Sequence, residues 1–403
     1  MKEEGNFKLN ELVIKVQGKP FKVSPNNLLN LRYAEDIRRS SIHLEVTLTD
    51  SEDALMSKVF GMEPISISFS DAKDNVIDLS MIVYEVTNRE IVGGKQMKAT
   101  LRCCNEDVTN AAGILISSQF EDKNITDIVK DLLSKSLNSK IPVIKTDQCI
   151  NKFTFVTNYW NPIKIIQWLT DKAIFAESSG KSATAGFVFF ETQRGYHWRA
   201  LDSLVKDKPK YQLKMGVDLD PEKAAEGSII ELSDLSRATV FDIGNQEVKD
   251  FDFNAYELYN DIPKLNEGKI PESYANLDKN SPTRIMTKVL NSKLYNAGEY
   301  TKDLTKILSQ ASFRNKMFYN KEVEAEFIGD QTIEVGDVVE LENYVGKNRE
   351  KDPVNSGKYI VGKVFREYTS SDSKMKTRLT LYNDSLGTGK ETSTNNSVSG
   401  LLG

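Results

Sequence analysis

The chain has 403 residues, 39% of them hydrophobic and 28% charged, and its formal net charge is −5. This length is more than one ordinary hydrophobic core needs, so it predicts about two to four domains. A net charge this small gives no sign of a global attraction to nucleic acid or to acidic membranes. No apolar run approaches the roughly 20 residues of a membrane-spanning helix, and the first residues lack the apolar segment of a signal peptide.

The three cysteines do not form a recognisable framework. Cys103 and Cys104 are adjacent, which directs their side chains to opposite faces if they lie in a strand, and Cys149 is isolated. This spacing fits neither a disulfide set nor a metal site. We therefore expect reduced cysteines, as in a protein that folds in the cytosol.

The first part of the chain has the pattern of an antiparallel β domain. Apolar and polar residues alternate through Ile42–Thr49, which predicts a strand with one buried face. Further strands are predicted at Phe7–Val16, Ile65–Phe69, Ile77–Val86 and Lys95–Cys103. Short strands separated by turn-forming residues predict that residues 1–118 form an antiparallel barrel or sandwich.

Beyond this unit the apolar residues recur at helical spacing. Asn124 can cap one helix, and Asn161 in front of a proline announces a second helix. Two aromatic-rich strands, Phe187–Glu191 and Tyr196–Leu201, then flank a short turn and predict a β-hairpin. Residues 119–224 are therefore predicted to form a small α+β module.

Strand patterns return in residues 225–245 and 319–383, which are predicted to form a second β unit. The intervening residues 246–318 are predicted to be an extended and helical insertion, with one helix opening at Ser281 before a proline. Residues 384–403 are rich in Gly, Ser, Thr and Asn, which is the composition of a flexible tail.

A short internal sequence similarity, which we call the echo, links the two β units. Gly94–Arg102 resembles Asp372–Thr380, and each segment follows a comparable strand. A duplicated hairpin would leave such an echo, and so would chance over so few residues. The echo by itself does not decide between these explanations.

The residue types that carry most enzyme chemistry are scarce. The chain has two histidines, His43 and His197, and neither lies in a zinc-binding or catalytic-triad motif. Two glycine-lysine pairs lack the leading glycine of a phosphate-binding loop. We therefore expect no catalytic residue, no cofactor-binding residue and no metal ligand.

Two functional alternatives stay open at this point. Acidic residues are plentiful, so a cell-wall hydrolase that uses a pair of carboxylates would escape a search for motifs. Such an enzyme needs a pocket that holds a carboxyl of raised pKa. The aromatic hairpin at Phe187–Trp198 would instead suit a module that binds a glycan or another small ligand, provided that its rings are exposed.

Segments spread along the chain resemble one known family. In chain order they are Phe153–Val156, Trp160–Pro162, Ile163–Phe175, Gly186–Glu191, Gly195–Asp202, Ser312–Phe318, Ile333–Val339, Tyr359–Val364 and Leu379–Tyr382. In this order they are similar to the baseplate hub proteins of contractile-tailed bacteriophages, relatives of the hub part of type VI secretion spikes. The resemblance covers most of residues 6–385, and no single motif within it is diagnostic.

The resemblance implies an α+β, β-rich fold with two tube-like antiparallel β-barrels, an inserted α+β module and a helical segment. It implies that three chains form a ring of six similar barrels, which joins a six-fold tail tube to a three-fold central spike. The ring would enclose a channel that holds the tape-measure protein before firing and passes DNA afterwards. The implied role is structural and not enzymatic, and it needs no cofactor.

The implied partners are two further copies in a homotrimer, the central spike protein, tail tube or tube-initiator proteins, baseplate wedge proteins and the tape-measure protein. DNA would pass transiently, and no stable membrane insertion is expected. The implied location is the tail baseplate of a virion assembled in the host cytoplasm, and a related injection machine fits equally well. Because open barrel edges need a partner, the candidate interface residues are Ile229, Ile230, Leu232, Tyr359, Ile360, Val361 and Val364.

Overall fold

The structure is a computed structural model of the chain. The residues that it describes are 6–50, 55–92, 96–176, 183–215, 231–234, 246–248, 251–253, 284–285, 294–304, 307–308, 318–319, 321–329, 332–345, 350–352, 355–372 and 374–384. The predicted interface residues Ile229 and Ile230 lie outside these ranges, as does the predicted tail apart from Asp384.

Seven strands and one short helix make up the first β unit. They are β1 (Lys8–Val16), β2 (Lys19–Lys22), β3 (Leu28–Asp36), β4 (His43–Asp50), β5 (Pro64–Ser70), β6 (Val76–Val92), β7 (Gln96–Cys104) and α1 (Glu106–Gly113), with 3₁₀ turns at Pro25–Asn27 and Met56–Lys58. The strands predicted from the sequence are all present, and β6 runs well beyond its predicted end at Val86.

Alternating side chains explain how this sheet curls around a core. Leu44, Val46 and Leu48 of β4 are fully buried, as predicted, and the residues between them are partly exposed. The neighbouring strands β3 and β7 bury Leu31 and Leu101 in the same core. Burying each such side chain contributes roughly 1.5–3 kcal/mol, and a slip of one residue would expose the whole set.

The α+β module follows directly. Its elements are β8 (Gln119–Asn124), α2 (Ile125–Asp131) with a π-helical continuation at Leu132–Ser136, β9 (Val143–Thr146), β10 (Lys152–Val156), α3 (Pro162–Leu169), β11 (Ile174–Ala176), β12 (Ala183–Ala185), β13 (Phe187–Thr192), β14 (Gly195–Ala200) and α4 (Leu201–Lys206). Both predicted caps are formed. The Asn124 Oδ1 accepts from the N–H of Thr126 at 2.9 Å, and the Asn161 Oδ1 accepts from the N–H of Lys164 at 2.7 Å.

The remaining strands lie in the last half of the chain. They are β15 (Tyr211–Met215), β16 (Glu231–Asp234), β17 (Gln246–Val248), β18 (Phe251–Phe253), β19 (Arg284–Ile285), β20 (Tyr295–Asn296), β21 (Lys321–Ile328), β22 (Val338–Val345), β23 (Glu350–Lys351), β24 (Gly357–Thr369) and β25 (Met375–Asn383), with a 3₁₀ helix at Gly298–Asp303. The helix predicted to open at Ser281 is not found at Arg284–Ile285, because β19 pairs with β17 there. Pairing with a distant strand outweighs the local cap-and-proline pattern.

One sheet runs through both β units. Its order is β16-β21-β25-β24-β3-β4-β7-β6-β5-β1-β2, and β22 joins it beside β24. The junction between the units is the antiparallel pair β24–β3, which runs from Lys363 opposite Asp36 to Thr369 opposite Asn30. The first part of β24, up to Ile360, pairs with β22, so this long strand serves two partners on one edge.

The two units have the same order of strands. The first contains β3-β4-β7-β6-β5 and the second contains β16-β21-β25-β24-β22, and every neighbouring pair in both series is antiparallel. The next strand differs, since β1 is antiparallel to β5 and β15 is parallel to β22. The echo in the sequence corresponds to the second strands of the equivalent hairpins β6–β7 and β24–β25.

Three hydrophobic cores lie within the described residues. The first β unit and the module each have one. The core of the second β unit also takes in side chains from β13 and α4, including Val188, Phe190, Leu201 and Leu204. The module is therefore packed firmly onto the second β unit.

Candidate functional site

The surroundings of the two histidines are those of structural residues. His197 is buried, stacks on Phe190 at 4.8 Å between ring centroids, and lies 3.0 Å from the Thr192 hydroxyl. Burial, together with the nearby Arg194 and other cations, lowers the pKa of His197 to about 3. Burial likewise lowers the pKa of His43. Neither histidine has the surroundings of a general base that works near neutral pH.

The cysteines and potential metal ligands show no site either. Cys103, Cys104 and Cys149 are buried and unpaired with one another. Burial raises the pKa of each thiol, which disfavours the reactive thiolate. Within the described ranges, no group of three or more His, Cys, Asp or Glu side chains could hold a metal ion.

The aromatic hairpin that suggested a ligand platform is buried. Phe187, Tyr196 and Trp198 are each at most 2% exposed. Phe187 stacks on Trp198 at 4.9 Å, and both belong to the same core as Ile163 and Ile166 of α3. These rings are therefore core residues and present no face to a glycan.

A cavity of about 400 Å³ lies between the first β unit and the module. Its wall includes Glu191, whose pKa is raised to about 8 by burial, the feature that a carboxylate hydrolase would need. The Glu191 Oε2, however, accepts from the N–H of Ile42 at 2.9 Å and from the side-chain amide of Asn105. These bonds tie the hairpin to the first β unit, so we interpret Glu191 as a structural brace.

A second buried carboxyl, Glu35 of β3, joins all three units. It accepts hydrogen bonds from the Tyr33 hydroxyl, from the N–H of Gln193 at 3.0 Å and from the N–H of Val335 at 2.9 Å. Burial raises its pKa to about 7, although the positive charge of Arg366 opposes this shift. Glu35 was not predicted as a functional residue from the sequence. Its spacing from Leu31 and Tyr33 was nevertheless a usable signal, because residues two apart in a strand share a face and this face is buried.

The polar face of the continuous sheet carries an ordered row of charges. Five residues on five neighbouring strands lie directly opposite one another: Glu85, Arg102, Glu45, Arg32 and Glu367, which we call the ion-pair belt. Acidic and basic residues alternate along the belt, and it crosses the junction between the two units.

The distances show that each belt arginine bridges two glutamates. Arg102 lies 2.9 Å from both Glu85 and Glu45. Arg32 lies 2.7 Å from Glu367 and 3.7 Å from Glu45. Hydrogen bonds and charges from these glutamates raise the pKa of both arginines, so the positive charges are permanent and matched by negative ones.

The long strand β6 is the most prominent open edge. It pairs with β5 from Val76 to Ile82, and Val83 exchanges backbone hydrogen bonds with Met62 and Glu63. From Tyr84 to Val92 the described residues leave that edge without a strand partner. Large apolar side chains are exposed around this edge: Phe60 (74%), Met62 (63%), Tyr84 (44%), Ile91 (70%) and Val92 (43%). An exposed apolar group of this size along a free strand is typical of a protein interface.

The predicted interface residues occupy different places. Leu232 lies in β16, at the far end of the sheet, opposite Ala325 of β21. Tyr359, Ile360, Val361 and Val364 lie in β24 and are at most 1% exposed in the core of the second β unit. The exposed apolar residues of β6 were not singled out, because their pattern is that of an ordinary amphipathic strand.

Comparison with known proteins gives matches to solved structures alone, since no family model and no curated protein matches the sequence. The 43 kDa tail protein of prophage MuSo2 from Shewanella oneidensis superposes with a TM-score of 0.57 at 11% identity, over 94% of this chain and 99% of that protein. A tail protein from Neisseria meningitidis superposes with a TM-score of 0.54 at 10% identity, over 95% and 98% of the two chains.

A third match is a component of the type VI secretion system of E. coli, which itself resembles phage tail proteins. Its TM-score is 0.51 at 8% identity, over 94% of this chain and 76% of that one. The chain thus has the fold of phage tail proteins and of a type VI secretion component. The predicted resemblance and the predicted β-rich α+β class are confirmed at the level of the fold. Among the described helices, none is long and apolar enough to span a membrane.

Proposed function

We propose that the chain is a structural hub subunit of a contractile phage tail or a related injection machine. In this proposal three copies form a ring of six β units between the tail tube and the central spike. The observation that carries it is the continuous sheet, in which two units of the same strand order are joined edge to edge. Repeating that junction between chains closes a ring of alternating units.

The junction within the chain indicates how the chains would join. β24 uses its first part for β22 and its second part for β3. β6, the equivalent strand of the first unit, uses its first part for β5, and within the described part of the chain its edge is open from Tyr84 to Val92. At the other end of the sheet, β21 is the described neighbour of β16. The proposed seam between copies therefore pairs β6 of one chain with β16 of the next.

Ile91 supports this seam. Ile91 and Tyr368 occupy equivalent places, since each pairs with the methionine of its echo segment. Tyr368 is covered at the internal junction, where it lies opposite Leu31 and stacks on Phe7 at 4.0 Å. Ile91 is 70% exposed in the single chain, and the seam would cover it in the same way.

The predicted domains take the following places in the proposal. The barrels of the ring are residues 1–118 and residues 225–245 with 319–383. The α+β module 119–224 and the insertion 246–318 face other baseplate proteins. The predicted tail, 384–403, lies outside the described residues apart from Asp384. β15, at the end of the module range, adds a strand to the second barrel by pairing with β22. Of the predicted interface residues, Leu232 lies on the proposed receiving strand and Val364 lies at the internal junction, opposite Glu35. Tyr359 and Ile360 pair with β22 instead.

The ring would contact the spike on one side and tail tube or tube-initiator proteins on the other, with wedge proteins around it. Its channel would hold the tape-measure protein and later pass DNA. We propose no catalytic role, because the raised-pKa carboxyl of Glu191 is engaged by Ile42 and Asn105.

The mass of the purified protein in solution tests the ring. We expect light scattering to give about three times the 45.4 kDa of one chain, either for the protein alone or after addition of its spike protein. Ile91→Glu should keep the chain monomeric, because it places a charge in the apolar seam. The matched control is Val156→Glu, at a residue of the module that is 67% exposed and should leave the trimer intact.

The opposite results would count against the proposal. A wild-type chain that stays monomeric with the spike present contradicts the ring. A trimer that survives Ile91→Glu as well as it survives Val156→Glu contradicts the seam.

A further inference from the structure

The ion-pair belt lies on a concave surface. A groove of about 660 Å³ is lined by Arg32, Glu45 and Arg102 of the belt and by neutral side chains such as Thr47 and Thr100. Three further charged residues line it: Lys98 and Glu90, which pair at 2.8 Å, and Arg89, which donates to the carbonyl of Val59. The described residues that line it all come from the two β units, and none comes from the α+β module. The hydrophobic cores are on the other face of the same sheet. In a closed ring of such sheets, a concave face that no module covers is the inner wall.

The belt is not needed to stabilise the sheet. Its side chains are 31–49% exposed, and ion pairs with this exposure add little to stability because water screens them. Cross-strand pairs of opposite charge do favour the observed register, but buried residues on the other face already specify it.

The arrangement has a clear consequence for phosphate groups. Arginine is the side chain best suited to bind phosphate, through paired N–H donors. In the belt, the donors of Arg32 and Arg102 are directed to glutamates on both sides. Burial opposes ionisation of Glu367, yet the bonds from Arg32 and Asn30 and the charge of Arg378 hold its pKa below the usual value. Glu367 therefore stays ionised and paired with Arg32 at neutral pH.

A further ion pair extends the same pattern across the second unit. Arg378 of β25 lies directly opposite Glu326 of β21, at 2.9 Å. The polar face thus carries glutamates and arginines in near balance from β6 to β21, a width that includes the junction β24–β3.

From these observations we propose that the ion-pair belt lines the channel of the ring and lets a nucleic acid slide past without binding it. The proposal rests on the ring proposed above and adds the identity of its inner wall. A wall of free arginines would hold the phosphate backbone, and a wall of free glutamates would repel it. Paired arginines and glutamates do neither, so the nucleic acid meets no strong repulsion and no strong binding site.

The test is DNA binding by the assembled trimer of a variant whose arginines have lost their partners. The variant Glu45→Gln, Glu85→Gln, Glu367→Gln leaves Arg32 and Arg102 charged and unpaired. We expect it to bind a short linear fluorescent duplex at least about tenfold more tightly than wild type at about 0.1 M salt, with affinity falling as salt rises. A single Glu45→Gln variant, which frees both arginines on one side, should show a smaller gain.

Two controls separate the channel from other surfaces. The variant Glu121→Gln, Glu299→Gln, Glu350→Gln changes the net charge equally at exposed positions outside the belt, and it should bind DNA no better than wild type. A closed circular duplex cannot thread a preformed ring, so the belt variant should bind the linear duplex and not the circle.

Light scattering on each variant keeps the two proposals distinguishable. If the trimer forms but the belt variant binds no better than the control variant, or binds the circle as well as the linear duplex, the belt does not line the channel. If no trimer forms even with the spike, both the ring and its inner wall are contradicted.

Discussion

Gly362 is the residue at which β24 passes beneath a tyrosine ring. A Cβ atom at this position would lie 2.0 Å from the ring of Tyr382, far inside van der Waals contact. The register of β24 with β25 shifts between Val361 and Lys363, and the carbonyl of Gly362 accepts from the N–H of Ile37 at 2.9 Å. Glycine is therefore required here by the close approach of the ring, and the neighbouring strands leave the ring little room to move.

We accordingly expect Gly362→Ala to destabilise the protein by roughly 1–3 kcal/mol, the usual cost of overpacking a core. The thermal unfolding midpoint should fall by several degrees. Gly113→Ala, at the end of α1, is the matched control, because a Cβ there meets no atom within 4 Å. Equal midpoints for the two variants would contradict the packing of Tyr382 on Gly362.

At the scale of elements, the two buried glutamates connect units that are far apart in the chain. Glu35 lies 300 residues from Val335, whose N–H it binds, and Glu191 lies 149 residues from Ile42. Burial raises the pKa of Glu35 to about 7 and that of Glu191 to about 8. Both glutamates hold in the folded state a proton that the unfolded chain releases above its pKa of about 4.5.

The direction in which folding shifts each pKa gives the sign of the pH dependence of stability. A carboxyl whose pKa is raised by folding contributes stability that is complete below about pH 4.5 and is lost as the pH rises to 7 and 8. His197 acts in the opposite direction, because its lowered pKa removes stability as the pH falls below about 6.5. Between pH 6.5 and 8, folded His197 is neutral and its unfolded form loses the remaining part of its proton, so its opposing effect fades towards pH 8 and the two carboxyls set the sign of the slope.

We therefore expect the free energy of unfolding to fall from pH 6.5 to 8, by up to about 1.4 kcal/mol per pH unit for each proton released. Glu191→Gln keeps a hydrogen-bond acceptor but cannot titrate, so it should flatten the slope. Glu299→Gln, at an exposed residue, should leave the slope unchanged. Chemical unfolding at several pH values measures both, and parallel slopes for the Glu191→Gln variant and the wild type would show that Glu191 does not titrate as we expect.

The sequence predicted those elements whose pattern is local. Period-two alternation in β4, the caps at Asn124 and Asn161 and the β13–β14 hairpin each depend on a few consecutive residues, and all are present. The pairing of β24 with β3 could not be predicted, because it joins residues more than 300 positions apart. The same limit applies to the belt, whose members become neighbours only through that pairing and the pairings beside it.

At the scale of the whole molecule, one rule of assembly would account for both the single chain and the ring. Inside the chain, the long hairpin strand β24 extends past its own unit and pairs with β3 of the other unit. Among the residues that the structure describes, this pattern ends with an open long strand at β6 and with β16 at the far end of the sheet. In the proposed ring, these two edges pair with further copies.

End-on electron micrographs of the assembled particle test this account most directly. We expect class averages with six similar lobes around an open channel, because each of three chains supplies two β units of the same strand order. Alternate lobes should differ slightly, since side chains of the α+β module contribute to the core of the second β unit. A compact particle without a channel, or a ring with an odd number of lobes, would contradict the account.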